Sequence, residues 1–261
     1  MRIGCCAGPG DLGVLEACEG LDYVELPVAK SLMGDEDEFE ALAEGLRASR
    51  LGVPAVNVFL PATLKVVGPD ARPEQLAGYA VQALARARRL GVSLLVFGSG
   101  ASRTVPEGFS RAVALDQFEA ALRVVQVEAS KQGVTVALEP LHSEETNLLN
   151  TVGEAAAYIR DRRLDGVRLV ADLWHMDCER ESLDVIEEVG GLIAHAHVAA
   201  AERRAPGQAP DGIEPFLLRL RQAGFDGACS IECNWTDLER ELPVAVGRVR
   251  QAAVAAGWDP A

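Results

Sequence analysis

Four residues with metal-ligating side chains close short apolar runs in the second half of the chain. Glu139 ends Val-Thr-Val-Ala-Leu-Glu, Asp172 ends Val-Arg-Leu-Val-Ala-Asp, His197 ends Ile-Ala-His-Ala-His, and Glu232 ends Cys-Ser-Ile-Glu. A carboxylate-rich set with one imidazole suits Mn²⁺, Mg²⁺, Co²⁺ or Zn²⁺; Mn²⁺ is the expected ion, although ligand type alone does not choose among them. His175 follows three residues after Asp172 and adds a second imidazole beside it. The chemistry open to such a set is proton transfer next to a carbonyl. A divalent cation makes the enediolate accessible, and carboxylates on opposite faces can remove and return the proton. Glu139 and Glu232 are the candidate pair.

These residues act together only if the chain gathers them. A strand-like run followed by a helix-like run recurs along the sequence, with strands expected at 2–6, 23–27, 55–60, 93–98, 134–139, 167–172, 193–198 and 228–233. Side chains alternate along a strand, so Val170 and Asp172 share one face, as do His195 and His197. Leu76, Ala80, Ala83, Leu84 and Ala87 line one helical face, and Leu238, Leu242, Val246 and Val249 another. The Gly-Val pairs at 52–53, 91–92 and 133–134 are expected to cap helices and lead into strands. Repeated βα units in 261 residues, without a break in composition, predict an α/β fold: a single (β/α)8 TIM barrel spanning 1–261. Barrel active sites lie at the C-terminal strand ends, where all four candidates stand. Long loops at 61–72, 99–110, 140–151 and 199–211 fall on the same rim. The early Cys-Ala-Gly-Pro-Gly lacks the spacing of a dinucleotide-binding turn and reads as an ordinary one.

A net charge of −14 argues against nucleic acid and against anionic membranes as partners. A multi-zinc endonuclease site would also need more histidines than the four present. No apolar run approaches the roughly 18 residues of a membrane span. The start lacks a signal-like apolar region, and the six cysteines form no CxxC pair. They read as reduced thiols in a cytoplasm, with Cys229 and Cys233 facing the core. The expected partner is a small carbohydrate, and a homo-oligomer is compatible with the sequence.

The motifs point further. They are Glu139-Pro-Leu-His142 with Glu145-Thr-Asn147 and Asn150-Thr, Asp172-Leu-Trp-His175-Met, His195-Ala-His197-Val-Ala with Arg203-x-x-Pro-Gly207, and Gly224-Phe-Asp-Gly227 with Ser230-Ile-Glu232. In this combination the chain resembles the xylose-isomerase-like barrel superfamily, and within it the ketose 3-epimerase, hydroxypyruvate isomerase and inosose dehydratase group. The resemblance implies that Glu139, Asp172, His197 and Glu232 hold a divalent metal. It implies that His175 and Arg203 hold substrate hydroxyl or carbonyl oxygens, and that Glu139 and Glu232 are the acid/base pair. Ala200, His142 and Ala209 depart from the pattern, which leaves the metal set intact and the substrate open.

Glu25 and Asn57, near the ends of the second and third strands, are expected to hydrogen-bond a sugar hydroxyl. His142 could touch substrate or face water, and is carried with the substrate-binding candidates. Asp172 could instead cap a helix. His195 reads as a packed or supporting histidine. Arg103 is a weaker substrate contact, on a Gly/Ser stretch read as a flexible loop. Phe59 and Trp174 could wall a pocket but fit the core better. The expected function is a divalent-metal-dependent isomerase or epimerase of a small carbohydrate or sugar phosphate. A lyase expelling a β-hydroxyl as water is the alternative, as is a non-catalytic carbohydrate-binding barrel.

Overall fold

Parallel strands pair in chain order, β1 to β8, and β8 returns to β1 to close a barrel. The computed structural model describes residues 1–259; positions 260 and 261, the end of the expected 1–261 domain, lie outside the described residues. The strands are β1 (Ile3–Cys6), β2 (Tyr23–Pro27), β3 (Gly52–Asn57), β4 (Leu94–Phe97), β5 (Thr135–Leu138), β6 (Val167–Asp172), β7 (Ile193–Val198) and β8 (Ala228–Ile231). Helices follow the strands and cover the sheet, so the fold is a (β/α)8 barrel.

The helices bury the faces their spacing predicts. On the helix Pro73–Arg89, which carries proline in its first turn, Leu76, Ala80, Ala83, Leu84 and Ala87 are all buried. On Leu238–Ala255, Leu242, Val246 and Val249 are buried, while Leu238 is only partly so. Most of the apolar core lies between these helices and the sheet. A small separate cluster, Val96, Ala137 and Val170, fills the barrel on the β4–β6 side. Opposite it the interior is polar, and Tyr23 crosses the space above Gly4, where a Cβ would sit 2.1 Å from its ring.

Several boundaries differ from expectation. β3 starts at Gly52, not 55, and stops at Asn57 because Val58 turns into a left-handed conformation at φ 41°. Gly52 is therefore a strand residue rather than a helix cap, and Ser49 ends the preceding helix. Gly133 does cap its helix, at φ 70°. Glu139 and Glu232 lie one residue past their strands, Asp172 is the last residue of β6, and His197 is the penultimate residue of β7. Among the described residues no helix is long and apolar enough to cross a membrane.

Candidate metal centre

In the sheet, Asp172 pairs with His197 and Val170 with His195, so each rim residue sits one layer above an interior one. Glu139 and Glu232 reach the same point from β5 and β8. Each of the four offers a ligand atom, and those atoms all lie within 4.8 Å of one another. His197 Nδ1 is the hub: 2.9 Å from Glu139 Oε1, 3.3 Å from Glu232 Oε2 and 3.7 Å from Asp172 Oδ2. Glu232 Oε2 is buried without an aligned hydrogen bond, although Arg203 Nη2 lies 3.0 Å away.

Asp172 turns its two oxygens to different neighbours. Oδ1 accepts from the N–H groups of Trp174 and His175 at 2.7 and 3.1 Å and caps the short helix Leu173–Cys178. Oδ2 faces His197.

The electrostatics favour a cation among these groups. Burial opposes ionisation of Asp172, but His175, His197 and Arg203 outweigh it and hold the carboxyl well below the usual range. Burial pushes Glu139 up, against the pull of His197, and Glu232 adds to the rise. Burial also opposes a charge on His197, yet Glu25, Cys6, Glu232 and Asp172 hold its pKa well above the ordinary imidazole value. Carboxylates thus crowd a fully buried ring, a concentration of negative charge that a cation would offset. A divalent cation is the group whose charge and oxygen-rich coordination fit this donor set.

The sequence profile of xylose isomerase-like TIM barrels matches residues 15–252. The chain belongs to that family. It is similar to 3-dehydro-D-guloside 4-epimerase of Escherichia coli K12, 30% identical over 107 residues, a match spanning 41% of each protein and thus less than half the relative's length. It is also similar to L-ribulose 3-epimerase of Mesorhizobium japonicum, 30% identical over 225 residues, covering 82% of this chain and 71% of that one. In fold it resembles a crystal structure of D-psicose 3-epimerase with D-tagatose from Clostridium cellulolyticum H10, with a TM-score of 0.84, 18% identity, and 97% and 99% of the two chains covered.

Within this family barrel, Glu25 is not where the sequence placed it. It lies in mid-strand with its side chain inside the barrel, fully buried beneath the rim, and has no surface to offer a sugar hydroxyl. It accepts from His195 Nε2 at 2.8 Å, His197 Nε2 at 3.0 Å and Ser230 Oγ at 2.6 Å, and the Tyr23 hydroxyl meets Ser230 Oγ at 2.8 Å. With its Nε2 hydrogen spent on Glu25, His197 can turn its Nδ1 lone pair to a metal, the carboxylate–histidine arrangement common in metal sites. His195 supports this network, as expected.

Arg103 is a second correction. It is wholly buried and donates to the carbonyls of Gly98 at 2.8 Å, Leu148 at 2.6 Å and Glu139 at 2.7 Å. Its stretch is a helical turn, Gly100–Arg103, rather than a flexible loop. Burial lowers its pKa to about 10, so it stays charged at neutral pH while pinning the backbone of Glu139. Arg103→Met would leave three buried carbonyls unpaired and should destabilise the fold by at least ~3 kcal/mol in urea unfolding.

The other candidates gather on the rim. Asn57 is buried, with Nδ2 3.5 Å from Glu232 Oε1, within reach of that carboxylate. His175 and His142 are buried side by side, so His142 does not face water. Arg203, held at φ 55°, donates from Nη1 to Glu145 Oε1 at 2.9 Å and stacks 4.6 Å above the Trp174 ring. Trp174 is half-buried beside it, whereas Phe59 is core.

Sequence reasoning passed over two residues. Glu145 stood inside a quoted motif without a role, yet it anchors Arg203. Gly98 ends the β4 run, and a Cβ there would lie 2.3 Å from Glu139 Oε2; only glycine lets that carboxylate approach. A glycine at a strand end on the active rim was the available signal. Asn147 pins the 140–151 loop to Val105 and Asn150 ties the loop to its own Leu141 and Thr146 carbonyls, which accounts for that motif structurally.

Proposed function

We propose that the protein is a divalent-cation-dependent epimerase of a small ketose or keto-sugar. The observation that carries this reading is the approach of Glu139 and Glu232, from strands not adjacent in the barrel, to the same nitrogen of His197 at 2.9 and 3.3 Å. The epimerase names of its relatives point to the same reaction class.

Glu139, Asp172, His197 and Glu232 would hold the cation, with Mn²⁺ suited to three oxygens and one nitrogen. When bound, it would polarise the substrate's carbonyl and stabilise the negative charge that develops there. One glutamate takes the proton from the carbon beside the carbonyl, and the other returns one to the opposite face. A glutamate that ligates through one oxygen keeps the other free to take the proton. His175 and Arg203 orient the substrate through its oxygens, and Trp174 closes the side on which Arg203 rests.

Arg203→Ala should raise KM roughly 10–100-fold, with a smaller change in kcat and unchanged metal content. Steady-state kinetics and elemental analysis check this; loss of metal would remove Arg203 from the substrate side. The reaction itself is tested by incubating Mn²⁺-loaded protein in D₂O with a panel of ketoses, hydroxypyruvate and inososes. The proposal expects deuterium beside the carbonyl and the epimeric sugar as product. Exchange with loss of water would make it a lyase instead. Metal uptake without exchange on any sugar would mark a non-catalytic barrel.

A further inference from the structure

The loop after β5 sets a second histidine against His175. The two rings lie 5.0 Å apart at 27°, and their Nδ1 atoms are 2.9 Å apart. Lone pairs do not face each other at that distance, so one nitrogen carries hydrogen. The main chain decides which. The backbone N–H of His142, a donor only, reaches His175 Nδ1 at 3.2 Å. His175 Nδ1 is therefore the acceptor, and the hydrogen between the rings belongs to His142 Nδ1. A neutral His175 then carries its own hydrogen on Nε2. That atom is buried, has no hydrogen-bond partner among the described residues, and lies 4.0 Å from Asp172 Oδ2, on the side of the candidate metal site.

We propose that His142 is a positioning residue: its side-chain and backbone N–H groups hold His175 in the Nε2–H tautomer and fix its ring, so that a free donor faces a substrate oxygen. The tautomer stands whatever the substrate; only the partner of the Nε2–H rests on the epimerase reading. A cation shared by His142, Glu145 and His175, which lie within 4.8 Å, is the competing arrangement. It would need the one His175 Nδ1 lone pair that the His142 backbone and ring N–H groups share, and it would crowd Arg203, which is bonded to Glu145. The hydrogen-bonded arrangement accounts for both facing Nδ1 atoms without adding charge.

An asparagine at position 142 would keep the backbone N–H and supply an amide donor in place of the ring N–H. The decisive readout is the ¹⁵N spectrum of histidine-labelled, Mg²⁺-loaded protein, in which only four histidines contribute. His142 should be protonated at Nδ1, the tautomer disfavoured in water, and His175 at Nε2. A proton on His175 Nδ1, or neither Nδ1 protonated, would overturn the lock and leave the proposed reaction standing. On the ketose that shows exchange, His142→Leu should raise KM roughly 3–10-fold with little change in kcat, and His142→Asn should restore it. Equal losses in both variants, or none in either, would also count against the lock. If no ketose exchanges, the spectrum alone decides it.

Discussion

Glu139→Gln and Glu232→Gln should each lower epimerisation by roughly 10²- to 10⁴-fold while leaving the fold intact, the usual effect of removing a general acid or base. Glutamine keeps the shape of the side chain and one oxygen for a cation, and Arg103 binds the backbone of residue 139 rather than its carboxylate. What goes is the ability to accept a proton. The sharper expectation is an asymmetry between the variants. Each retains one carboxylate, so each should still exchange the proton of the epimer that faces it. Neither should convert that epimer to the other, and the two variants should prefer opposite epimers. Deuterium incorporation followed separately from each pure epimer measures this. A variant epimerising at the wild-type rate, or both variants favouring the same epimer, would break the two-base scheme.

Glu25→Ala is expected to have the largest structural effect. It removes the acceptor of two imidazole N–H groups and one hydroxyl in a site closed to water. Breaking a buried charged network by deleting one partner costs about 3–5 kcal/mol. Freeing the His197 ring from its support should also weaken metal binding by about 10–100-fold. Burial disfavours the Glu25 charge, but His197 and His195 outweigh it and hold its pKa well below the usual carboxylate value. A group depressed in this way contributes its full stability above its unfolded pKa and loses it as pH falls towards the folded value. The gap between wild type and variant in denaturant midpoint should therefore be present at neutral pH and close in acid. A gap that did not close in acid would assign the stabilisation to another group.

The barrel was legible because its repeat is written in local patterns: apolar strands, amphipathic helices and glycine caps at regular intervals. The gathering of the four rim candidates followed from it, since strand alternation places Asp172 with Val170 and His197 with His195 on inward faces. The misreadings share a cause. Glu25 looked like a rim residue, although Tyr23 and Glu25 alternate onto one face just as the histidines do. Its depth depends on how β2 is staggered against its neighbours, which no local pattern encodes. Arg103 looked like a loop cation because its partners are carbonyls from three separate segments, brought together only by folding. The pairing of His142 with His175 depends in the same way on the path of the 140–151 loop.

The central claim is that one cation is gripped jointly by β5, β6, β7 and β8. Anomalous diffraction from crystals soaked in Mn²⁺ tests it most directly. One peak is expected, in contact with Glu139, Asp172, His197 and Glu232 together. No peak there, or an ion held elsewhere while those side chains stay bonded to one another, would contradict it.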